Sequence, residues 1–98
     1  EKETHIYRIA QEAANNALRH GHPSSIKLSL QLLGEHEAVL KIEDNGSGLG
    51  KRTHEHPGIG LRVMDYRANL IDGSLTIKSR ARGGVSVICR FPYGDGQD

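Results

Sequence analysis

The stretch SIKLSLQLLGEHEAVLKIED, residues 25–44, alternates apolar and polar side chains on both sides of a short turn. Over residues 26–32 every second side chain is apolar, which is the period of a half-buried strand. Residues 34–37 have the composition of a turn, and the apolar run 39–43 then leads to the carboxylate of Asp44. The stretch therefore predicts a β-hairpin whose second strand ends at an acidic side chain.

Amphipathic helical patterns flank this hairpin. Over residues 4–21 apolar side chains recur at the i, i+3, i+4, i+7 spacing of a helix, and Gly21 stands at its C-terminal stop. A second helical face begins at Gly60, and Gly73 occupies the position of a C-terminal cap. The apolar stripes are Ile6, Ile9, Ala10, Ala13 and Ala17 in the first helix and Leu61, Met64, Ala68 and Ile71 in the second.

A second alternating segment follows the second helix. Residues 75–77 and 85–91 alternate on either side of the turn 81–84, which predicts another hairpin. Residues 45–57 contain three glycines, one proline and no apolar periodicity, so they form a loop long enough to be functional. The order α-β-β-loop-α-β-β predicts two helices on one face of a sheet of at least four strands. Residues 93–98 are expected to form a frayed tail.

The length of the chain limits it to one domain, and its net charge indicates no strong electrostatic preference for a class of partner. The 98 residues suffice for a single core, which we assign as one domain over 1–98. Thirteen basic and twelve acidic side chains leave a net charge of +1, which does not favour nucleic acid or an anionic membrane. One cysteine excludes an internal disulfide and a cysteine-based zinc site. No apolar stretch reaches the ~18–20 residues that span a bilayer, and without an initiator methionine we expect a domain of a longer protein.

Three polar residues of the first helix stand in a row beside its apolar stripe. Glu12, Asn16 and His20 follow one another at i, i+4 and i+8, so a regular helix projects them from one face. Asn15 and Arg19 lie alongside them. On the residues alone, this row is either a solvated helix flank or part of a polar site, and both interpretations stay open.

Two glycine-rich segments follow the acidic strand end. Residues 44–50 place glycine at every second position after Asn45, which exceeds what one Asx-glycine turn requires and lets backbone approach a ligand. Gly58 and Gly60 directly precede the second helix, whose free N–H groups and dipole favour a phosphate. Each segment alone is a weak signal, since neither has the spacing of a Walker loop or follows a Rossmann strand.

In order and spacing, three segments together resemble the ATP-binding catalytic domain of bacterial sensor histidine kinases. Residues 6–20 are similar to the N box of that family, residues 44–48 to its G1 box and residues 58–61 to its G2 box. Residues 60–68 are most similar to the nitrate-sensor and thermosensor type. The resemblance covers residues 6–92 and implies the Bergerat fold of the gyrase, Hsp90, histidine kinase and MutL superfamily. That fold is an α/β two-layer sandwich with helices on one face of a mixed, mainly antiparallel sheet.

The resemblance implies roles for individual residues. Asp44 would accept a hydrogen bond from the adenine amine, Asn16 would supply an oxygen to Mg²⁺, and Glu12 would be the catalytic residue that orients or deprotonates the nucleophile. The cofactors would be ATP and Mg²⁺. Contacts to the nucleotide are implied, besides Asn16 and Asp44, for Arg19, His20, Gly46, Gly48, Gly58, Ile59, Gly60, Leu61 and Val85.

The resemblance also implies a lid, and the sequence departs from the family pattern at three points. Residues 47–57 would close over the triphosphate. Val85 stands where the family usually has a threonine whose hydroxyl lies near the adenine, and Asp72 stands where it often has glycine. The family has a strand before the first helix that this sequence lacks, so an edge strand would be missing from the sheet.

Other polar residues are interpreted as solvated. His5, His22 and His36 are expected on the surface, as are Arg80 and Arg82 in the turn of the second hairpin. The two histidines of the long loop lack a third fixed ligand and do not predict a metal site. None of the six histidines lies in the phosphoacceptor context of the family, a histidine followed by an acidic residue on a dimerising helix.

The implied function is that of the Mg²⁺-ATP-binding catalytic domain of a two-component sensor histidine kinase. As a protein-histidine kinase, it would donate the γ-phosphoryl group to a histidine on a separate dimerisation and phosphoacceptor helical domain, with a response regulator downstream. We expect a cytoplasmic domain without nucleic-acid or direct membrane contact. An ATPase clamp of the same superfamily is an alternative, although those proteins are larger and take a catalytic lysine from a following domain. An RNA-binding α/β module is disfavoured because only Phe91 and Tyr93 are aromatic residues near a strand.

Overall fold

Two helices and two β-hairpins follow one another in the predicted order. The structure is a computed structural model that describes residues 1–49 and 58–94. The first helix continues directly into a turn of π-helix, in which each backbone hydrogen bond spans one more residue than in an α-helix. Neither of the described α-helices has the length and hydropathy needed to cross a bilayer. The elements are α1 (Lys2–Asn16), the π-helical turn (Ala17–Gly21), β1 (Ile26–Leu33), β2 (Glu37–Asp44), α2 (Ile59–Leu70), β3 (Ser74–Ser79) and β4 (Val85–Pro92).

The described strands form one sheet in the order β1-β2-β4-β3, and each of their pairings is antiparallel. β4 therefore lies between β2 and β3, and the connection through α2 passes over it. In this register Leu30 pairs with Leu40, which in turn pairs with Cys89. One end of the sheet consequently brings together the first residues of β1 and β4 and the last residues of β2 and β3.

The core lies between one face of the sheet and the two helices. Ile9 and Met64 are fully buried, and β2 and β4 contribute alternating side chains from one face, among them Leu40, Cys89 and Phe91. The two-layer arrangement confirms the predicted fold class. Burial raises the pKa of the Cys89 thiol to about 11, so the thiol stays protonated near neutral pH and packs as a small core residue.

β1 departs from the prediction, because its apolar face is exposed. Leu28, Leu30 and Leu32 are 54%, 57% and 65% exposed, although their pairing places them on the same face as core residues of β2. The reason is their lateral position: α1 contacts β2 and α2 contacts β3, whereas β1 is the outermost strand on its side. Alternation identifies the apolar face of a strand but does not establish that another layer covers it.

Two residues expected to be solvated make specific contacts. Tyr93, in the segment predicted to fray, donates its backbone N–H to the His36 carbonyl at 2.8 Å. His5 is partly buried, and its Nδ1 lies 3.0 Å from Nη1 of Arg67 on α2. Because a guanidinium only donates, Nδ1 of His5 is the acceptor in this link between the helices. The rest of the predicted tail, residues 95–98, lies outside the described residues.

A left-handed residue closes the end of α2, and it is Asp72 rather than the predicted Gly73. Asp72 has φ 58° and donates its N–H to the Asn69 carbonyl at 3.1 Å. The Gly73 N–H donates to the Ala68 carbonyl at 2.8 Å, which completes a Schellman motif. Gly73 is required for space instead, since a Cβ there would lie 2.7 Å from the Arg90 carbonyl oxygen.

We predict that Asp72→Gly stabilises the domain. Glycine adopts the left-handed conformation without the steric cost that a side chain incurs, so the free energy of unfolding should rise by about 0.5–1 kcal/mol. Urea unfolding followed by circular dichroism measures the change. As a control, Asp65→Gly in the exposed middle of α2 should lower the free energy of unfolding by about 0.3 kcal/mol, since aspartate is itself a poor helix former. A loss of stability in Asp72→Gly would contradict the assignment of this cap.

Candidate functional site

A small cavity lies at the end of the sheet where β2 ends and β4 begins. Its volume is about 20 Å³, room for about one water molecule. Its described wall is mostly apolar, and the polar side chains in it belong to Asn16 and Asp44. A ligand larger than water enters only when wall side chains move apart. The lining residues are Ala13, Asn16, Ala17, Gly21, Ile42, Asp44, Gly48, Leu49, Leu61, Met64, Val85 and Val87.

Asp44 presents a fixed carboxylate in this wall. It is the last residue of β2 and is only 6% exposed. Its Oδ1 accepts the backbone N–H of Gly46 at 2.8 Å, an Asx turn that holds the side chain in place. Oδ2 makes no hydrogen bond to another described residue. Because every fully buried polar side-chain atom of the described residues has a partner, Oδ2 is not fully buried. This second carboxylate oxygen is therefore accessible to a ligand.

Asn45 ties the strand end to the start of β1. Its Oδ1 accepts the backbone N–H groups of Ser24 and Ser25, each at 2.9 Å, and its Nδ2 donates to the Ser24 hydroxyl at 2.8 Å. Turn chemistry alone predicts an asparagine before Gly46 but not this link to a segment 20 residues earlier. Asn45 thereby fixes the backbone that follows Asp44.

The π-helical turn after α1 packs directly on the loop after β2. The helical segment ends at Gly21, but the left-handed residue is His22, with φ 48°. The Gly21 carbonyl accepts the N–H of Ser47 at 2.9 Å, and the Ser47 hydroxyl donates to the His20 carbonyl at 3.3 Å. A Cβ at Gly46 would lie 2.5 Å from the Gly21 carbonyl oxygen, so only glycine allows this approach.

The π-helical turn interrupts the predicted polar row of α1. Asn16 is buried and Glu12 is partly buried, whereas His20 is exposed. His20 leaves the row because a π-helical turn contains more residues than an α-helical one, so the i+4 spacing no longer preserves the face. The prediction of a shared face is therefore correct for Glu12 and Asn16 and wrong for His20.

The first turn of α2 lies against Glu12 and Asn16. A Cβ at Gly60 would lie 2.7 Å from Nδ2 and 2.8 Å from Oδ1 of Asn16, and it would collide with Oε2 of Glu12. Glycine at this position thus makes room for two polar side chains of the other helix. Glu12 also pairs with Arg19, whose Nη2 lies 3.7 Å from Oε2. Because both partners keep contact with water, this ion pair adds little to stability.

The amide of Asn16 is available to a ligand. Its side chain makes no hydrogen bond to another described residue. Because no fully buried polar side-chain atom of the described residues lacks a partner, the amide keeps some contact with solvent. In the described ranges, no group of three or more His, Cys, Asp or Glu side chains converges to hold a metal. A cation here would take one oxygen from Asn16 and the others from its ligand and water. Mg²⁺ accepts such an arrangement, since it usually binds one or two protein oxygens.

Backbone N–H groups at the start of α2 face the same region. Gly58 is the N-cap in an extended conformation, and no side chain of the described residues caps the helix. The N–H groups of the first turn, from Ile59 to Leu61, have no intrahelical partner, which makes this end favourable for an anion. Ile59 itself is 82% exposed, while Leu61 is buried.

The structure brings most of the predicted site residues to this end of the domain. Of the predicted lid, residues 47–49 are described and 50–57 lie outside the described residues, as do both histidines of that loop. The predicted residues that line the cavity are Asn16, Asp44, Gly48, Leu61 and Val85; those that adjoin it are Glu12, Gly46 and Gly60; Gly58 is the N-cap of α2; Arg19, His20 and Ile59 are exposed.

Sequence reasoning does not identify the apolar wall. Ala13, Ile42, Met64 and Val87 line the cavity, yet they continue the same periodic patterns as the core residues beside them. The cavity is a gap in the layer between helices and sheet, so wall and core carry the same signal. Only the three-dimensional arrangement separates them.

The sequence matches one protein family along nearly its whole length. The family is described as histidine kinase-, DNA gyrase B-, and HSP90-like ATPase, and the match covers residues 1–95. The chain belongs to this family. Membership in these ATPases confirms the resemblance carried by the segments 6–20, 44–48 and 58–61.

Two related proteins are named as sensors. The oxygen sensor histidine kinase NreB of Staphylococcus carnosus (strain TM300) is 36% identical over 97 residues, which are 97% of this chain and 27% of that protein. The nitrate/nitrite sensor protein NarQ of Escherichia coli (strain K12) is 30% identical over 96 residues, which are 98% of this chain and 17% of that protein. The chain thus spans about a quarter or less of the length of these relatives.

Solved structures of an ATP binding domain and a histidine kinase domain share the fold. The ATP binding domain of PrrB from Mycobacterium tuberculosis has a TM-score of 0.72 at 24% identity, covering 91% of this chain and 67% of that one. The histidine kinase domain from the Erythrobacter litoralis EL346 blue-light activated histidine kinase has a TM-score of 0.79 at 18% identity, covering 93% and 44%. The two-layer Bergerat arrangement predicted from the three segments is confirmed.

We predict that Gly46→Ala destabilises the domain. The added Cβ meets the Gly21 carbonyl, a backbone group that cannot rotate away, so the free energy of unfolding should fall by about 1–3 kcal/mol. Gly21→Ala is the matched control on the opposite side of the same contact. Its Cβ would lie 3.6 Å from the nearest atoms, an ordinary contact, so its effect should be smaller. Equal losses in urea unfolding would show that the close approach is not the constraint.

Proposed function

We propose that this chain is the ATP-binding catalytic domain of a sensor histidine kinase of the nitrate-sensor type. Family membership and the names of its relatives support this function. The observation that carries the proposal is the buried Asp44 carboxylate, with one oxygen accessible, in the same cavity wall as Asn16. An apolar pocket with one fixed carboxylate suits a flat, largely apolar base that carries an amine.

Asp44 would distinguish adenine from guanine. Its free Oδ2 would accept a hydrogen bond from the exocyclic amine of adenine, whereas guanine carries a carbonyl at that position and cannot donate. The walls formed by Ile42, Met64 and Val87 would move apart to admit the ring, since the cavity holds about one water molecule. Val85 offers no hydroxyl to the base, so the remaining polar groups of adenine would bind water, and affinity should be modest.

Asn16 and the start of α2 would hold the metal and the phosphates. Mg²⁺ would neutralise part of the triphosphate charge, with the Asn16 amide oxygen as its protein ligand. Phosphate oxygens would accept the N–H groups of residues 59–61, which lie beside Asn16 because Gly60 lets the Asn16 side chain approach the first turn of α2. Arg19 and His20 are exposed at the same end and add donors for the outer phosphates.

Glu12 would act on the nucleophile. Its side chain is 26% exposed and adjoins Asn16 and Gly60, so it can meet a group that approaches from outside. A histidine nitrogen of a separate helical domain would attack the γ-phosphorus, forming an N–P bond as the P–O bond to ADP breaks. Glu12 would orient that imidazole or accept its proton. A response regulator would then take the phosphoryl group, and the reaction would take place in the cytoplasm.

We predict that the chain binds Mg²⁺-ATP in preference to Mg²⁺-GTP and that Asp44→Asn weakens ATP binding. Loss of a charge-assisted hydrogen bond should reduce affinity roughly 10- to 100-fold. Isothermal titration calorimetry of both nucleotides measures the effect, with Asp65→Asn on the exposed face of α2 as the control. Equal affinities of the wild type for ATP and GTP would refute adenine recognition by Asp44.

We predict that two neighbouring substitutions on α1 separate binding from chemistry. Asn16→Ala removes the metal ligand, so Mg²⁺-dependent ATP affinity should fall together with phosphoryl transfer. Glu12→Gln keeps the size of the side chain but removes the base, so ATP should still bind. Transfer to a histidine of the full-length protein should then drop by on the order of 10²–10⁴.

Two results would contradict these roles. If Glu12→Gln abolishes ATP binding as completely as Asn16→Ala, then Glu12 supports the metal or the structure rather than the nucleophile. If the 98-residue chain alone labels one of its own histidines with ³²P, then the acceptor is not on a separate domain. Gel autoradiography with γ-³²P-ATP decides the second point.

A further inference from the structure

Arg80 is not the solvated charge that its position in a hairpin turn predicts. It is partly buried, and its Nη1 donates to the backbone carbonyl of Asp44 at 2.8 Å. Arg82, two residues further along the same turn, is exposed. A guanidinium that binds a carbonyl oxygen makes a charge-assisted hydrogen bond, which is stronger than a bond between neutral groups.

The topology of the sheet explains why this carbonyl needs a distant donor. The ladder between β2 and β4 ends at the pair of Glu43 and Ser86, so the Asp44 carbonyl lies one residue beyond it. Arg80 follows the end of β3 and reaches past the first residue of β4 to this group. The contact therefore joins strands that are not neighbours. A buried carbonyl at a strand end would otherwise lose its partner.

The turn between β3 and β4 is held against Asp44. Its own hydrogen bonds join the Arg80 N–H to the Gly84 carbonyl and the Gly83 N–H to the Arg80 carbonyl, each at 3.0 Å. Gly84 has φ +94°, and a Cβ there would collide with the Asp44 carbonyl and lie 2.9 Å from Cα of Asn45. The position of the guanidinium is thus set by a turn that only glycine can form.

We propose that Arg80 is a positioning residue for adenine recognition. The direction of the Asp44 carbonyl sets the path of the next two residues, and the N–H of Gly46 in that path holds Oδ1 of the carboxylate. Without the guanidinium this peptide is still held on the β1 side, where the Asn45 N–H donates to the Ser25 carbonyl at 3.3 Å, but its carbonyl can tilt and shift the carboxylate with it. The inference rests on the proposed function, because it assigns to Arg80 the orientation of the group that binds the base.

An alternative role for Arg80 is attraction of the phosphates, and nucleotide chemistry distinguishes the two. A residue that acts through Asp44 affects the base, so adenosine and ATP should lose affinity by the same factor. A residue that attracts phosphates affects ATP far more than adenosine. The described contact of the guanidinium is with the Asp44 carbonyl, which favours the first role.

The test compares substitutions at two arginines of one turn. Arg80→Met keeps the unbranched apolar stem of the side chain and removes its donors, Arg80→Lys restores one cationic donor, and Arg82→Met is the matched control. Affinities of the 98-residue chain for Mg²⁺-ATP, Mg²⁺-GTP and adenosine are measured by calorimetry. We expect Arg80→Met to lose about 5- to 10-fold for ATP and adenosine alike, Arg80→Lys to recover part of the loss, and Arg82→Met to change little.

A double-mutant comparison with Asp44→Asn distinguishes positioning of the carboxylate from general destabilisation of the domain. In an Asp44→Asn background, Arg80→Met should cost less than about 2-fold, because the carboxylate that it orients is already absent. Thermal unfolding of each variant runs alongside, and Arg80→Gln replaces Arg80→Met if the latter does not fold. A full, undiminished loss in the Asp44→Asn background would overturn the inference.

The outcomes separate this inference from the proposed function. If the wild type prefers ATP and Arg80→Met has the same nucleotide affinity as Arg82→Met, then the role of Arg80 is overturned and the proposed function is not. A loss confined to ATP and absent for adenosine also overturns it, in favour of phosphate attraction. A wild type without preference for ATP over GTP refutes adenine recognition by Asp44, and the role of Arg80 with it.

Discussion

The domain depends on the backbone contact between Gly21, at the end of the π-helical turn after α1, and Gly46, two residues after β2. At this point helix and sheet layers meet without a side chain between them, and the Gly21 carbonyl accepts the Ser47 N–H. A larger residue at 46 would force them apart. The contact sets the distance between the π-helical turn and the end of β2, which places Asn16 and Asp44 in one cavity wall.

A second close approach orders the rest of the site. Gly60 brings the start of α2 against Glu12 and Asn16, so a ligand that reaches the Asp44 carboxylate also meets an amide oxygen and backbone N–H groups that have no intrahelical partner. The turn of the second hairpin closes the arrangement from the sheet side, through Arg80. Base, metal and phosphate would therefore be recognised by different segments of the chain, which become neighbours only in the folded domain.

Local patterns predict the elements, because one buried face repeats along each of them. They do not predict whether another layer covers that face. Exposed Leu30 on β1 and buried Leu40 on β2 occupy the same kind of position in an alternating pattern. Local patterns also miss the π-helical turn, which moves His20 out of its row without a change in the spacing of residues. The resemblance of short segments predicts Asp44 as a site residue, yet the role proposed for Arg80 depends on strand order, and strand order follows from tertiary packing rather than from any local sequence.

The most direct test of the nucleotide site is the amide NMR spectrum of the ¹⁵N-labelled chain during titration with Mg²⁺-ATP. The Gly46 N–H is bonded to Oδ1 of Asp44, and Gly60 adjoins Asn16, so both amide signals should shift in a saturable manner. Gly34, in the turn at the opposite end of the sheet, should not shift. Mg²⁺-GTP should leave the Gly46 signal largely unchanged. Saturable shifts that centre on the opposite end of the sheet, or none with ATP, would contradict a nucleotide site built on the contact between Gly21 and Gly46.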